Sequence, residues 1–438
     1  MKVLILVALS GVIGIAALAG QEAIDPERAA KYFAEAQEIS RRDNARLWGL
    51  PLYGPMLLVD PETHDAVANQ ANAEGRLARR GNVFVGKLAP ELIVANTAMD
   101  WAGVLWTMIS WPLPEDPEAR TRLMMHESFH RLQGKLGLKA RSPICGHLES
   151  KDGRIWLQLE WRALEAALAE HGDRRRQALA DGLLFRSYRH SLFPQGAVEE
   201  RELELNEGLA EYTGVKLSTR SASQMVVVAA CALRQARGRQ NLARSFAYTS
   251  GPAYGALLDL SGVDWRSQLQ TDGDFAALVR KAYALGPVVA SGDEALKKAR
   301  AYDGEYVIAA ETERENAHRE QVAKARARFI EGPVLILPVG KTFSYGFDPN
   351  QVVPLDVSQA IYLYARVTDD WGTLDAPGGA LIVREGGRVV RVQVPAPGDV
   401  SVRPVKGDGW TLAPEKGWNI VPGSRAGDYV LKPEGETH

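Results

Sequence analysis

Apolar and polar positions fall into four successive textures along the chain. Residues 3–20, VLILVALSGVIGIAALAG, are almost continuously apolar. From 25 to 50, PERAAKYFAEAQEISRRDNARLW has the mixed spacing of a helix, with Asp25 and Pro26 suited to its start. From 52 to 112 the pattern shortens to β-like runs, PMLLVD, NVFVG, ELIVAN and GVLWTMISW, separated by Gly, Pro, Asn and Asp turn signals. The run from Gly103 to Trp111 precedes a strong helix start, Asp116-Pro117, where a capping side chain is followed by a residue whose missing N–H costs nothing.

Long helical periodicities follow: IWLQLEWRALEAALAEHG, DRRRQALADGLLFRSYRHSLF, AVEERELELNEGLAEYTG and SASQMVVVAACALRQA. A further helix is expected to begin near Pro252 and end at Gly262, and residues 310–329 form a charged, solvated helix with i,i+4 pairs. After Pro333 short β-rich pieces return, with Arg384-Glu385-Gly386-Gly387 between alternating runs as a hairpin signal. The pattern predicts an α+β chain. Residues 21–112 would form an N-terminal helix and β-rich part, 113–330 a mainly helical part of the same domain, and 331–438 a small C-terminal β-sheet domain.

Composition narrows the setting. A chain of 438 residues has room for two or three domains, and 46% hydrophobic with 24% charged residues is ordinary for a globular protein. A net charge of -2 gives no electrostatic case for nucleic acid. Lys2 followed by the apolar run, closing on Ala17-Leu18-Ala19, has the layout of a secretory signal peptide over residues 1–20. An uncleaved anchor is the alternative, and the only route by which the sequence suggests a membrane association. The expected location is therefore secreted or periplasmic. Two cysteines, Cys145 and Cys231, are too few for a disulfide scaffold, although one bond between them is conceivable.

The candidate chemistry lies in TRLMMHESFHRLQGK. His126 and His130, four apart on a helix, share a face and can converge on one metal ion, with Glu127 beside them to hold a water. In this HExxH arrangement two histidines fix Zn2+ and the glutamate acts as general base. The competing account is an exposed charged helix face. Hydrolytic zinc sites usually keep three protein ligands and one open position. In LNEGLAEYTG, Glu207 and Glu211 are again four apart. Glu207 can supply the third ligand, and Glu211 can accept the other ring proton of a ligand histidine, His126 being the best fit. An acidic surface stripe is the alternative, since Glu199, Glu200, Glu202 and Glu204 precede them. His147 and His190 are weaker third ligands, Cys145 beside His147 would close the open position, and Leu136 excludes the three-histidine form of the motif.

HESFH together with NEGLAEY resembles the gluzincin zinc metallopeptidases, in which a glutamate on a following helix completes the metal site. FAYTSGPAYGALLDL, residues 246–260, is similar to the aminopeptidase and glycyl-aminopeptidase-like branch of that family. The resemblance implies a zinc metallopeptidase acting on peptide or protein substrates, with Zn2+ on His126, His130 and Glu207. It also implies Glu127 as general base and Tyr248 as hydrogen-bond donor to the oxyanion, with Tyr212 and Tyr254 as rivals. About 76 residues separate His130 from Glu207, so an inserted helical pair or a lid is expected there. Pro252 stands where the family has Ala, and no GAMEN-like segment precedes the zinc helix, so aminopeptidase specificity is not implied. No organic cofactor is needed. Trp101, Trp106 and Trp111 are either a hydrophobic subsite or packing residues. The strand over 103–111 is either an edge that pairs with an extended peptide or buried core. The alternative function is an extracytoplasmic binding or cell-envelope structural protein on a peptidase-like scaffold.

Overall fold

The computed structural model describes residues 23–269, 273–289, 291–348, 352–356 and 358–435; the expected signal segment lies outside them. One compact unit ends at Glu311 and a second begins at Thr312. Among the described residues no helix is long and apolar enough to cross a membrane.

The first unit opens with helix α1 (Pro26–Asp43), capped by Asp25, whose side chain accepts from the Glu27 N–H at 3.0 Å. It ends at Asn44, which takes the left-handed conformation at φ 53° that Asn tolerates. Six strands follow: β1 (Met56–Val59), β2 (Asp65–Ala68), β3 (Ala78–Arg80), β4 (Val83–Lys87), β5 (Thr97–Trp101) and β6 (Val104–Ser110). They form one sheet in the order β3-β4-β2-β1-β6-β5, antiparallel except for the parallel pair of β1 and β6. Alternation along β1 sends Met56 and Leu58 into the helical core and Leu57 and Val59 into a cluster with Trp106 and Met108. Both faces are therefore packed.

Of the two readings of Gly103–Trp111 the structure gives the interior one, strand β6, and the sheet edge on this side is β5. One expectation changes. ELIVAN is not a strand: Ile93 is 71% exposed, and pairing begins only at Thr97. Leu92 and Val94 pack against the cluster around Trp106, but no ladder pairs their backbone, and apolar contact alone does not make a strand. Trp101, Trp106 and Trp111 are all buried, as packing residues.

Helix α2 (Pro117–Gln133) starts as the cap predicts, with Asp116 Oδ2 accepting from the Ala119 N–H at 2.7 Å. Met124, Met125, Phe129 and Leu132 bury one side of it in the main core. Truncating Phe129 to Ala there would cost about 3–5 kcal/mol. Arg120 ties α2 to α1, meeting Glu35 at 2.8 Å and lying 4.5 Å from the Tyr32 ring centroid.

The stretch between the two halves of the motif contains a helical pair, α3 (Lys151–Ala169) and α4 (Gly172–Leu192), turned by two residues. One long helix then runs through three parts: α5 (Pro194–Leu203), a π-type turn at Glu204–Gly208, and α6 (Leu209–Ser218). Helices α7 (Ala222–Ala236), α8 (Phe246–Leu260), α9 (Phe275–Ala282), α10 (Gly292–Ala299) and α11 (Gly304–Arg326) complete the helical series. Helix α8 begins at Phe246, six residues before the Pro252 start expected, and carries Pro252 inside it. Full burial of Phe246, Ala247 and Ala253 holds this turn helical although Pro252 donates no N–H. The cysteines are free, Cys145 buried and Cys231 partly so.

The second unit is a sandwich of a seven-stranded and a five-stranded sheet. Leu335, Leu337, Ile382, Val392 and Val394 from one sheet share a core with Val367, Leu374 and Leu412 from the other. The expected hairpin pairs Glu385 with Arg388 across Gly386 and Gly387, whose φ values of 56° and 82° are those a two-residue turn requires.

Candidate metal centre

Interior placement on α2 fixes His126 and His130 one turn apart, and α6 packs alongside that helix. The two Nε2 atoms lie 3.2 Å apart. Glu207 Oε2 stands 3.4 Å from the first and 3.5 Å from the second. These three atoms form a nearly equilateral triangle. A tetrahedral Zn2+ with bonds of 2.0–2.1 Å separates its ligand atoms by about 3.3 Å, so the triangle fits such an ion without rearrangement. His126, His130 and Glu207 thus form a cluster able to hold a metal ion.

Each member of the triangle is oriented from behind. His126 Nδ1 meets Glu211 Oε2 at 2.7 Å, so the ring presents Nε2 toward the triangle. The guanidinium of Arg122, one turn before His126, donates in turn to Glu211 Oε1. His130 Nδ1 meets Gln133 Oε1 at 3.1 Å. Glu207 Oε1, the oxygen outside the triangle, accepts from Asn206 Nδ2 at 2.9 Å and from Ser142 Oγ at 3.4 Å. Tyr248 donates to Glu207 Oε2 at 2.6 Å, and its ring stacks on His126 at 5.5 Å and 7°.

Glu127 completes the group. Its Oε1 is 3.9 Å from His126 Nε2, and its Oε2 is buried with no hydrogen-bond partner. An orphaned carboxylate oxygen beside three convergent donors is poorly solvated unless a further group occupies the space. Burial pushes the Glu127 carboxyl above its usual range, against the pull of His126 and His130. Burial also works against charge on His126, but Glu127, Glu207 and Glu211 outweigh it and hold that imidazole well above its ordinary value. Burial raises the Glu207 carboxyl, yet the two histidines outweigh it and keep it ionised. Burial followed by the nearby Glu207 charge drives the Tyr248 phenol upward, so it stays a neutral donor.

As metal ligands both imidazoles would be neutral, and the site would then carry three carboxylates, Glu127, Glu207 and Glu211, against the one guanidinium of Arg122. A divalent cation closes that balance.

The structure brings together all six residues singled out in the sequence: His126, Glu127, His130, Glu207, Glu211 and Tyr248. Tyr212 and Tyr254 are elsewhere, donating to Asp259 and to Glu160. His147 and His190 both face Glu200, at 2.7 and 2.9 Å. Arg122, Gln133, Asn206 and Ser142 were missed. The first two sit at helical spacings of four and three from a ligand histidine, a signal that was available; Ser142 comes from a loop and carries none. No protein-family model, curated protein or solved structure matches the chain.

Proposed function

We propose that the chain is a zinc-dependent peptidase of gluzincin type, acting outside the cytoplasm on peptide or protein substrates. The observation that carries this reading is the triangle of His126 Nε2, His130 Nε2 and Glu207 Oε2, with sides of 3.2–3.5 Å, beside the unpartnered Oε2 of Glu127. A purely structural zinc site is normally closed by four protein ligands and has no use for a neighbouring free carboxylate.

The chemistry zinc supplies when held there is Lewis acidity, which lowers the pKa of water toward neutrality and polarises a carbonyl. Glu127 accepts the proton of the attacking water and delivers it to the leaving amine. Its buried Oε2, without a hydrogen-bond partner, is free to serve both halves of that transfer. Tyr248, held neutral beside His126, offers its phenol to the oxyanion in exchange for its bond to Glu207. The free edge at β5 lies next to the sheet strand that packs against α2, and an extended substrate can add to it as a further strand. The apolar segment at residues 3–20 supports export.

Glu127→Gln tests the assignment on a quenched-fluorescence peptide pool. Hydrolysis should fall by about 10²–10⁴-fold while zinc stays bound at wild-type stoichiometry. An unchanged rate in that variant would rule out Glu127 as the base.

A further inference from the structure

Glu200, Glu204, Glu207 and Glu211 follow one another at spacings of four, three and four. In an uninterrupted α-helix that spacing stacks all four carboxylates on one stripe. The structure separates them into two pairs with different partners. Glu204 is gripped at both oxygens by Arg186, at 2.8 and 2.6 Å, and Glu200 by Arg189, at 2.8 and 2.7 Å. Glu207 and Glu211 instead engage opposite nitrogens of the same imidazole, His126.

The break between the pairs is the π-type turn at Glu204–Gly208, where the Leu209 N–H donates to the Glu204 carbonyl, an i→i+5 bond. Such a turn holds one residue more than an α-turn, so everything downstream lags by about one residue's rotation, roughly 100°. Both ends of the turn are pinned. At its start, Arg186 and Glu204 are 2% and 1% exposed. At its end, Gly208 meets Gly251 of α8 backbone to backbone, so closely that a side chain at position 251 would collide with Gly208. The same approach sets Tyr248, one turn earlier on α8, against Glu207.

We propose that the wide turn is a register device for the metal centre, and that Arg186, acting through Glu204, is a positioning residue for Glu207. Arg186 touches no ligand. It fixes the backbone residue from which the wide turn departs, and thereby the direction in which Glu207 leaves the helix three residues later. A straight helix keeping Glu204 on Arg186 would swing Glu207 and Glu211 together toward the arginines and away from α2. The inference rests on the metal-centre reading above.

The test uses the full chain and three readouts: thermal unfolding of the metal-free protein, zinc affinity by competition calorimetry, and the visible absorption of bound Co2+. The paired variant R186M/E204M removes both charges at once, a replacement that buried ion pairs commonly tolerate. Glu160 keeps Arg189 and Tyr254 as partners in that variant. The expected result is a Tm close to wild type, zinc affinity weaker by about 10–100-fold, and an altered Co2+ spectrum. A folded variant with wild-type zinc affinity and spectrum overturns the proposal. If the pair does not fold, R186K decides, since it keeps the charge but loses the forked grip on Glu204. Zinc affinity lower by about three-fold or more supports the register role, and unchanged affinity overturns it. A folded wild-type chain without zinc affinity overturns the metal-centre reading itself, and this inference with it.

Discussion

The two halves of the helix from Pro194 to Ser218 treat buried glutamates in opposite ways. Upstream of the wide turn, Glu200 and Glu204 are matched by arginines inside the protein, with His147 and His190 also on Glu200. Downstream, Glu211 keeps the Arg122 guanidinium, but the part-buried Glu207 has, among the described residues, only two imidazoles as ion-pair partners. The first half is electrically finished by the chain. The second brings no guanidinium to Glu207, and His126, His130 and Glu207 already stand at the spacing of ligands around one metal ion. That contrast separates a structural ion cluster from a site more firmly than burial or pKa does, since both halves are buried and both are perturbed.

Breaking the Arg189–Glu200 pair, the part of the upstream half away from the wide turn, should damage the fold and spare the site. Arg189→Met strands Glu200 in a dry environment and should cost about 3–5 kcal/mol in urea unfolding, with zinc stoichiometry unchanged in the molecules that fold. A cost below about 1 kcal/mol would mean that the cluster is better hydrated than its burial implies.

The same half should set part of the acid stability. Burial opposes the charge of Glu200, but Arg189 and the two histidines outweigh it and hold its pKa well below the ordinary 4.5. A depressed carboxyl stabilises the fold above its unfolded pKa and loses that contribution as pH falls through the folded value. Wild type should therefore have the higher Tm at pH 7, and its advantage over Glu200→Gln should shrink progressively below about pH 4.5. Parallel Tm curves for the two proteins from pH 7 to pH 3 would contradict the assignment.

Breaking the downstream half should do the reverse. Glu211→Gln keeps the shape but weakens the acceptor for His126 Nδ1, so zinc affinity should drop by about 10–100-fold with little change in the Tm of the metal-free protein. Calorimetric titration with zinc checks this, and an unchanged affinity would show that Glu211 is only packed against His126.

This contrast was half legible in the sequence. Asp116-Pro117 and His126-Glu127-Ser128-Phe129-His130 could be placed because caps and i,i+4 pairs are local, and Glu207 with Glu211 followed by the same spacing rule. The division of the four glutamates was not legible, because their spacing is that of one continuous face. The wide turn that divides them is imposed by Arg186 and Gly251, 18 residues before and 47 after Glu204 in the chain. The order along the chain, a β-rich start, a helical middle and a β-rich end, followed from periodicity. Strand β5 did not: ELIVAN carries the stronger β composition, yet TAMDW makes the pairs because it lies opposite β6. The early start of α8, which places Tyr248 at the site, was hidden by Pro252, whose local preference is overridden by the buried contacts around it.

The most direct test is metal analysis with zinc K-edge X-ray absorption on the purified full chain, beside its Glu207→Ala variant. The account predicts one zinc per chain in the wild type, bound by two imidazole nitrogens and oxygen at about 2.0–2.2 Å, and loss of tight binding in the folded variant. A wild-type chain that takes up no zinc, or a sulfur ligand that would place the metal at Cys145, would contradict it.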